Sequence, residues 1–336
     1  MKVTILDDYQ NVFAGMPAIG RLRQKAEVEI YTKQFASEEA LVRALKGSQA
    51  IIPIRERTQF PAGLLKALPD LEIIAQTGNH AYHIDIPAAT EAGILVTMAP
   101  GGLGVTELTI GLMIAVMRRI PQSDREMRQG KWPLVLGSVL SGKTLGILGL
   151  GKVGSEVARI ALAFGMKVVA WGPTLTRERA EQAQVSYMAL EEVLQNADVI
   201  SVHLKLSEQS RNLLNEARLR LMKKSAYLVN TARGAIVDQT ALIKVIKENA
   251  IAGAALDVFA EEPLPPDSPL LDLENVVLTP HIGWPTDKGF EAFAENAVEN
   301  ILSYMEGKLI RPVNPEALEK RRPNDSSPFR LRHGHI

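Results

Sequence analysis

Three glycines, Gly149, Gly151 and Gly154, constrain this chain more than any other feature. They lie in TLGILGLGKVGSEVARIALAFGMKVVAWGP, residues 144–173. Residues 144–148 are short, apolar and β-compatible, and read as a buried strand. In 155–164, Val157, Ala158, Ile160, Ala161 and Phe164 recur near helical spacing, and 167–171 reads as a second strand. G-x-G-x-x-G in this strand–turn–helix–strand setting is the fingerprint of a dinucleotide cradle. Gly149 permits the tight turn, Gly151 lets a pyrophosphate approach the backbone, and Gly154 lets helix and strand pack closely. The helix N-terminus adds free N–H groups and the positive end of its dipole.

Strand and helix signals alternate along the rest of the chain. Strands are expected at 3–6, 28–31, 50–54, 73–75 and 94–97, with helices at 38–45 and 61–67. Pro100, Gly101 and Gly102 break the pattern, and a long apolar helix follows at 105–120. Beyond the glycines, strands at 199–204, 226–230, 253–257 and 276–278 alternate with helices at 190–195, 215–222 and 239–248; a last helix covers 289–307. Such alternation predicts an α/β fold with parallel sheets, and 336 residues fit two domains. The expected architecture is two Rossmann-like, doubly wound parallel-sheet domains with an interdomain cleft, a usual place for a ligand.

Lys+Arg and Asp+Glu both number 38, so nothing in the charge points to nucleic acid or an anionic membrane. With no cysteine, disulfides, thiolate chemistry and cysteine-ligated metals are excluded; no metal site is expected, and the composition fits the cytoplasm. The opening MKVTILDDYQ has too short an apolar run for a signal peptide. No stretch approaches the ~18 apolar residues of a membrane span. The last residues, 319–336, are polar and proline-broken and are expected to form a flexible tail.

Three patches carry candidate chemistry. Arg233 follows the strand at 226–230, Asp257 ends the strand at 253–257 with Glu262 a few residues on, and His281 follows the strand at 276–278. In open α/β sheets ligands sit outside the carboxyl ends of the strands, and all three patches fall there. Reducing a 2-keto acid needs a hydride donor, a proton donor for the carbonyl oxygen and a cation for the carboxylate. His281 suits the proton donor. Glu262 suits a partner that stabilises the protonated imidazole, and Arg233 a two-pronged carboxylate anchor.

GLGKVG, NTARG, LDVFAEEP and TPHIG, in this order, resemble the D-isomer-specific 2-hydroxyacid dehydrogenases, from about Val3 to Val313. The family includes phosphoglycerate dehydrogenase, glyoxylate/hydroxypyruvate reductase and D-lactate dehydrogenase. The resemblance implies an NAD(P)-dependent oxidoreductase acting on the CH–OH group of a small D-2-hydroxy acid, or on its keto form. Glyoxylate, hydroxypyruvate, pyruvate and a 3-phosphoglycerate-type acid are the candidate substrates. It implies that Arg233, Glu262 and His281 form the catalytic triad, and that Lys152 and Val153 lie against the pyrophosphate. It further implies that Asp257 holds the nicotinamide carboxamide, and that His203, Thr231, Ala232 and Gly283 line the cofactor. A split substrate domain is implied, 1–100 with 288–318, around a cofactor domain at 101–287. A homodimer is expected, with the helix 105–120 at its interface.

The chain departs from the family in three places. The substrate loop, expected to bind substrate through Gly78, Asn79 and His80, reads TGNHAYHID, where the family has roughly G-x-G-x-D-N-I-D; His80, Tyr82 and His83 change its chemistry. Trp284 stands where small residues usually follow the catalytic histidine, either narrowing the pocket or packing the hinge; no arginine cluster for a substrate phosphate stands out near these loops. The second strand ends at Gly172, where an acidic residue often bonds the ribose of NAD and repels NADP. With Gly172, Thr174 and Arg177 nearby, both NAD and NADP are admitted.

Two other readings stand beside the leading one. Related phosphite and formate dehydrogenases oxidise small inorganic or one-carbon acids, although Glu262 counts against formate. Transcriptional corepressors of the same fold sense dinucleotides as interaction proteins; the balanced charge and the lack of a peptide-docking signature count against that reading.

Overall fold

The structure, a computed structural model, describes residues 1–102 and 104–320. Its described residues divide into two compact units: Met1–Gly102 with the chain from Pro285 to Lys320, and the stretch between them.

The first unit alternates strands β1 (Lys2–Leu6), β2 (Glu27–Ile30), β3 (Ala50–Pro53), β4 (Ile73–Thr77) and β5 (Leu95–Ala99) with helices α1 (Pro17–Arg23), α2 (Glu38–Leu45), α3 (Ala62–Lys66) and α4 (Ile86–Glu91). The sheet is parallel throughout, in the order β2-β1-β3-β4-β5. β3 and β4 are buried along their whole length, as apolar runs in a covered parallel sheet should be. Ser37 caps α2 by accepting from Ala40 N–H, and Asp85 caps α4 by accepting from Ala88 N–H.

The second unit begins with α5 (Gly104–Arg118) and α6 (Ile120–Arg128). Its strands are β6 (Thr144–Leu148), β7 (Lys167–Trp171), β8 (Ser186–Tyr187), β9 (Val199–Val202), β10 (Tyr227–Asn230), β11 (Gly253–Leu256) and β12 (Val276–Leu278). Helices α7 (Lys152–Ala163), α8 (Arg177–Gln182), α9 (Leu190–Asn196), α10 (Glu216–Leu219) and α11 (Gln239–Lys247) lie between them in sequence. All seven strands run parallel, in the order β12-β11-β10-β9-β6-β7-β8. The order reverses between β6 and β9, which creates a crevice outside their carboxyl ends. The last helix, α12 (Asp287–Met305), packs on β4, β5 and α1 of the first unit, where Phe290 meets Phe13 edge to face at 5.9 Å.

Sequence and structure differ mainly in short elements. The apolar helix stops at Arg118 instead of 120, because Arg119 is left-handed (φ 53°) and caps α6, with Pro121 in its first turn. α1, α4, α6, α8 and β8 are additional to the sequence reading. None exceeds nine residues, α6 buries no side chain, and β8 has two residues, so periodicity had little to register. Of the tail expected at 319–336, Glu319 and Lys320 end a 3-10 turn and Lys320 pairs with Glu91 at 3.3 Å; the remainder lies outside the described residues.

Candidate active site

The glycine turn follows β6. Gly149 has φ 104°, and its N–H donates to the Trp171 carbonyl at 2.7 Å. A Cβ there would sit 2.9 Å from the His203 carbonyl, too close for any side chain. A Cβ on Gly154 would collide with the Gly149 carbonyl oxygen, so helix and turn pack through the missing atom. Gly151 differs: it is the N-cap of α7, and a Cβ there would meet nothing within 4 Å. Packing therefore requires the first and third glycines, while the second faces open space over the first turn of a twelve-residue helix opened by Lys152 and Val153. A pyrophosphate fits that cradle.

Beside it lies a cavity of about 730 Å³, lined by residues that include Gly149, Gly151, Gly172, Thr174, Arg179 and His203. His203 Nε2 is 2.8 Å from Ser201 Oγ. Burial pushes its pKa down to about 4, so the ring meets this cavity uncharged at neutral pH.

The reactive candidates follow β10, β11 and β12, all at the carboxyl edge. After β10, Asn230 organises the loop: its side chain accepts from Ala232 N–H at 3.1 Å and donates to the Arg233 carbonyl at 3.0 Å. Thr231 is buried, its hydroxyl 2.8 Å from that of Thr109. Arg233 Nη1 donates to the Ala232 carbonyl at 2.6 Å. Gly234, which the sequence reading did not single out, packs so tightly on the Phe259 carbonyl that a Cβ would overlap it. Its missing side chain brings the Arg233 loop against the loop that carries Glu262.

Glu262 Oε1 accepts from Phe259 N–H at 2.9 Å, and its Oε2 lies 2.6 Å from His281 Nδ1. Burial alone would raise its pKa. The bonds from His281 and Phe259, with the nearby charge of Arg233, outweigh burial and hold the carboxyl below its ordinary value. An ionised Glu262 accepts, so Nδ1 carries the hydrogen and Nε2 is left for substrate chemistry.

His281 is left-handed (φ 54°), and Asp257 holds its turn. Asp257 is buried; Oδ1 accepts from Thr279 Oγ1 at 2.6 Å and Ile282 N–H at 2.8 Å, and Oδ2 from Gly283 N–H at 3.0 Å. Burial, stronger than these bonds, raises its pKa. The turn thus engages both oxygens of the residue that the resemblance assigns to the nicotinamide carboxamide. Trp284, half-buried, ends the second unit.

In the first unit, Gly78 follows β4 with φ 118°, its N–H donating to the Ala99 carbonyl at 2.7 Å. The Arg55 guanidinium occupies the space where a side chain on Gly78 would begin. Arg55 Nη2 is 3.2 Å from His80 Nε2 and Nε is 3.3 Å from Glu56 Oε2; His80 stacks on Tyr82 with ring centres 4.5 Å apart. Asn79 is exposed. His83 turns inward to Gln76 Oε1 at 3.0 Å and is buried. A cation does, therefore, stand beside this loop. Its signal in the sequence was RER directly after a strand, at the carboxyl edge where ligands bind.

A seven-stranded Rossmann sheet with a glycine cradle at its switch point, and an acid-paired histidine at the same edge, defines a dinucleotide-dependent oxidoreductase. Residues 110–283 match the family model for the D-isomer specific 2-hydroxyacid dehydrogenase, NAD binding domain. The chain is 39% identical over 319 residues to a glyoxylate reductase of Aeropyrum pernix, covering 91% of this chain and 95% of that one. It is similar to the crystal structure of a phosphoglycerate oxidoreductase from Vibrio cholerae: TM-score 0.81, 36% identity, 91% of this chain and 99% of that one. It is also similar to an acyclic imino acid reductase in complex with NADPH and D-Arg: TM-score 0.78, 28% identity, 93% of this chain and 100% of that one. The chain belongs to the D-isomer-specific 2-hydroxyacid dehydrogenase family. It is an NAD(P)-dependent oxidoreductase of small 2-hydroxy and 2-keto acids. Among the described residues no helix is long and apolar enough to cross a membrane.

Proposed function

We propose that the protein reduces a small 2-keto acid, of the size range from glyoxylate to hydroxypyruvate, to the D-2-hydroxy acid, with Arg233, Glu262 and His281 as its catalytic residues. The observation that carries this reading is the 2.6 Å contact between His281 Nδ1 and a Glu262 carboxylate anchored by Phe259 N–H. A nicotinamide dinucleotide, when bound, supplies the hydride. His281 Nε2 holds the proton for the carbonyl oxygen, and Glu262 stabilises the charged ring and fixes its orientation. The planar fork of Arg233 binds the substrate carboxylate through two hydrogen bonds. Gly78, Asn79 and His80, with Arg55, supply substrate-binding groups from the first unit.

Gly149, Gly151, Lys152, Val153 and Gly154 would hold the pyrophosphate. Gly172, Thr174 and His203 would line the adenosine side, and Thr231, Ala232, Asp257 and Gly283 the nicotinamide side. Asp257 reaches the carboxamide only through lone pairs that its turn leaves over. The first unit is then the substrate domain and the second the cofactor domain. The lack of cysteine is consistent with a cytoplasmic enzyme.

A homodimer is part of the proposal. Helix α5 buries Ile110, Met113 and Met117 in its own unit. The apolar surface lies on the segment after α6, where Trp132, Leu134 and Leu136 are 79%, 94% and 97% exposed.

Turnover of glyoxylate, hydroxypyruvate, pyruvate and 3-phosphohydroxypyruvate with both reduced dinucleotides tests the reaction. Oxidation of either dinucleotide that depends on glyoxylate, hydroxypyruvate or pyruvate supports it; turnover confined to 3-phosphohydroxypyruvate, or none with any acid, would overturn it.

A further inference from the structure

We propose that the protein takes NADP(H) in preference to NAD(H), and that Arg179 recognises the 2′-phosphate of its adenosine ribose. The inference rests on the cofactor site proposed above and assigns that site its ligand class.

The first observation concerns Gly172, the residue after β7. It is buried and lies outside the left-handed region. A Cβ there would lie 3.5 Å from Leu175 Cβ and 3.8 Å from Gly149 Cα, which are ordinary van der Waals distances. Nothing in the backbone demands a glycine. The carboxylate that would bond the ribose hydroxyls of NAD is absent although the fold has room for it to begin.

The second observation is the charge around the cavity. Four charged residues line it: Arg179, Lys205, Arg218 and Glu191. Arg218 and Glu191 pair with each other at 3.2 Å and largely cancel. Among the described residues Arg179 and Lys205 make no ion pair. Arg179 is held in place without being neutralised: Nη1 donates to the Thr174 carbonyl at 2.9 Å, and its N–H donates to Thr176 Oγ1, the N-cap of α8. Neighbouring Arg177 lies over the Tyr187 ring, 5.5 Å from its centre.

The wall next to the second strand therefore offers a positioned guanidinium and no unpaired carboxylate. A 2′-hydroxyl finds no unpaired carboxylate there to accept from it. A 2′-phosphate carries nearly two negative charges at neutral pH and presents oxygens that suit a planar fork of donors. Lys205, which also lines the cavity, adds long-range attraction that salt should screen.

Equilibrium binding tests this without turnover. NADPH and NADH are titrated against the purified protein by nicotinamide fluorescence, and 2′,5′-ADP and 5′-AMP by calorimetry. NADPH should bind at least about tenfold tighter than NADH, and 2′,5′-ADP tighter than AMP by a similar factor. Arg179→Ala should pull both ratios toward one while NADH affinity stays put. Gly172→Asp should move them further, toward NADH, because like charges repel at short range. NADPH binding should weaken more than NADH binding as salt rises. Equal or tighter NADH binding by the native protein would overturn the inference, as would ratios unmoved in Arg179→Ala. Binding of neither dinucleotide would remove the cofactor site and this inference together. A clear NADPH preference without keto-acid turnover would support this inference and remove only the proposed reaction.

Discussion

His281 and Glu262, nineteen residues apart, meet at 2.6 Å through Nδ1 and Oε2. The carboxylate is oriented in turn by Phe259 N–H at 2.9 Å. Replacing His281 by Ala should leave dinucleotide binding near normal and lower keto-acid reduction by about 10²–10⁴-fold, the usual contribution of a positioned proton donor. Glu262→Gln keeps the shape and removes the charge. Keto-acid reduction should fall while dinucleotide binding stays near normal, because the ring that carries the proton loses its counter-charge. Steady-state rates and dinucleotide titrations check both, and an undiminished rate in Glu262→Gln would remove the charge from the mechanism.

Arg233→Lys is not a conservative change. A point charge replaces the planar fork, so one of the two carboxylate hydrogen bonds is lost. Keto-acid KM should rise and kcat fall, with dinucleotide affinity unchanged. A variant that matches the parent on every active keto acid would show that the carboxylate is anchored elsewhere.

Asp257→Asn tests the turn. Both oxygens accept from N–H or O–H donors, and an amide can replace only one. The amide nitrogen would then face a donor, Gly283 N–H at 3.0 Å or those of Thr279 and Ile282, at a cost of about 1–3 kcal/mol for the unsatisfied buried group. Unfolding of the variant, followed by calorimetry, should begin several degrees earlier. An unchanged melting profile would mean that the turn holds itself.

His203 sets an acid sensitivity. Its folded pKa, near 4, lies below its unfolded value of about 6.5. Between these values the unfolded chain binds a proton that the folded chain refuses. This group's effect on stability is therefore absent above pH 6.5 and increasingly unfavourable as pH falls toward 4. His203→Gln should flatten the fall in melting temperature between pH 7 and pH 5. An equally steep fall in the variant would place the sensitivity in other groups.

The exposed segment after α6 should hold two copies together. Trp132→Ser with Leu136→Ser removes its most apolar surface and should convert a dimer to monomer in sedimentation velocity at micromolar concentration. Both side chains are exposed within one chain, so the monomer should stay folded. A double variant that sediments like the parent would place the interface elsewhere.

Much of this protein was legible in its sequence because the signals were local. β6, β7 and β12 are where apolar runs placed them: β6 and the middle of β7 are buried in a covered sheet, and β12 is a half-buried apolar run at the sheet edge. Gly149 and Gly154 were readable because close backbone approach admits no other residue at those two positions. Arg233, Asp257 and His281 were legible as candidates by position alone, each following a strand of a parallel sheet. The tertiary structure decided what those residues touch. Parallel pairing of β11 with β12 brings the Glu262 loop beside the His281 turn, and it gives both Asp257 oxygens to that turn. It also set Arg55 against Gly78, and Arg179 at the cavity beside Gly172. Such contacts join residues from separate loops. Their distance depends on strand register and helix packing across a sheet, which no window of neighbouring residues encodes.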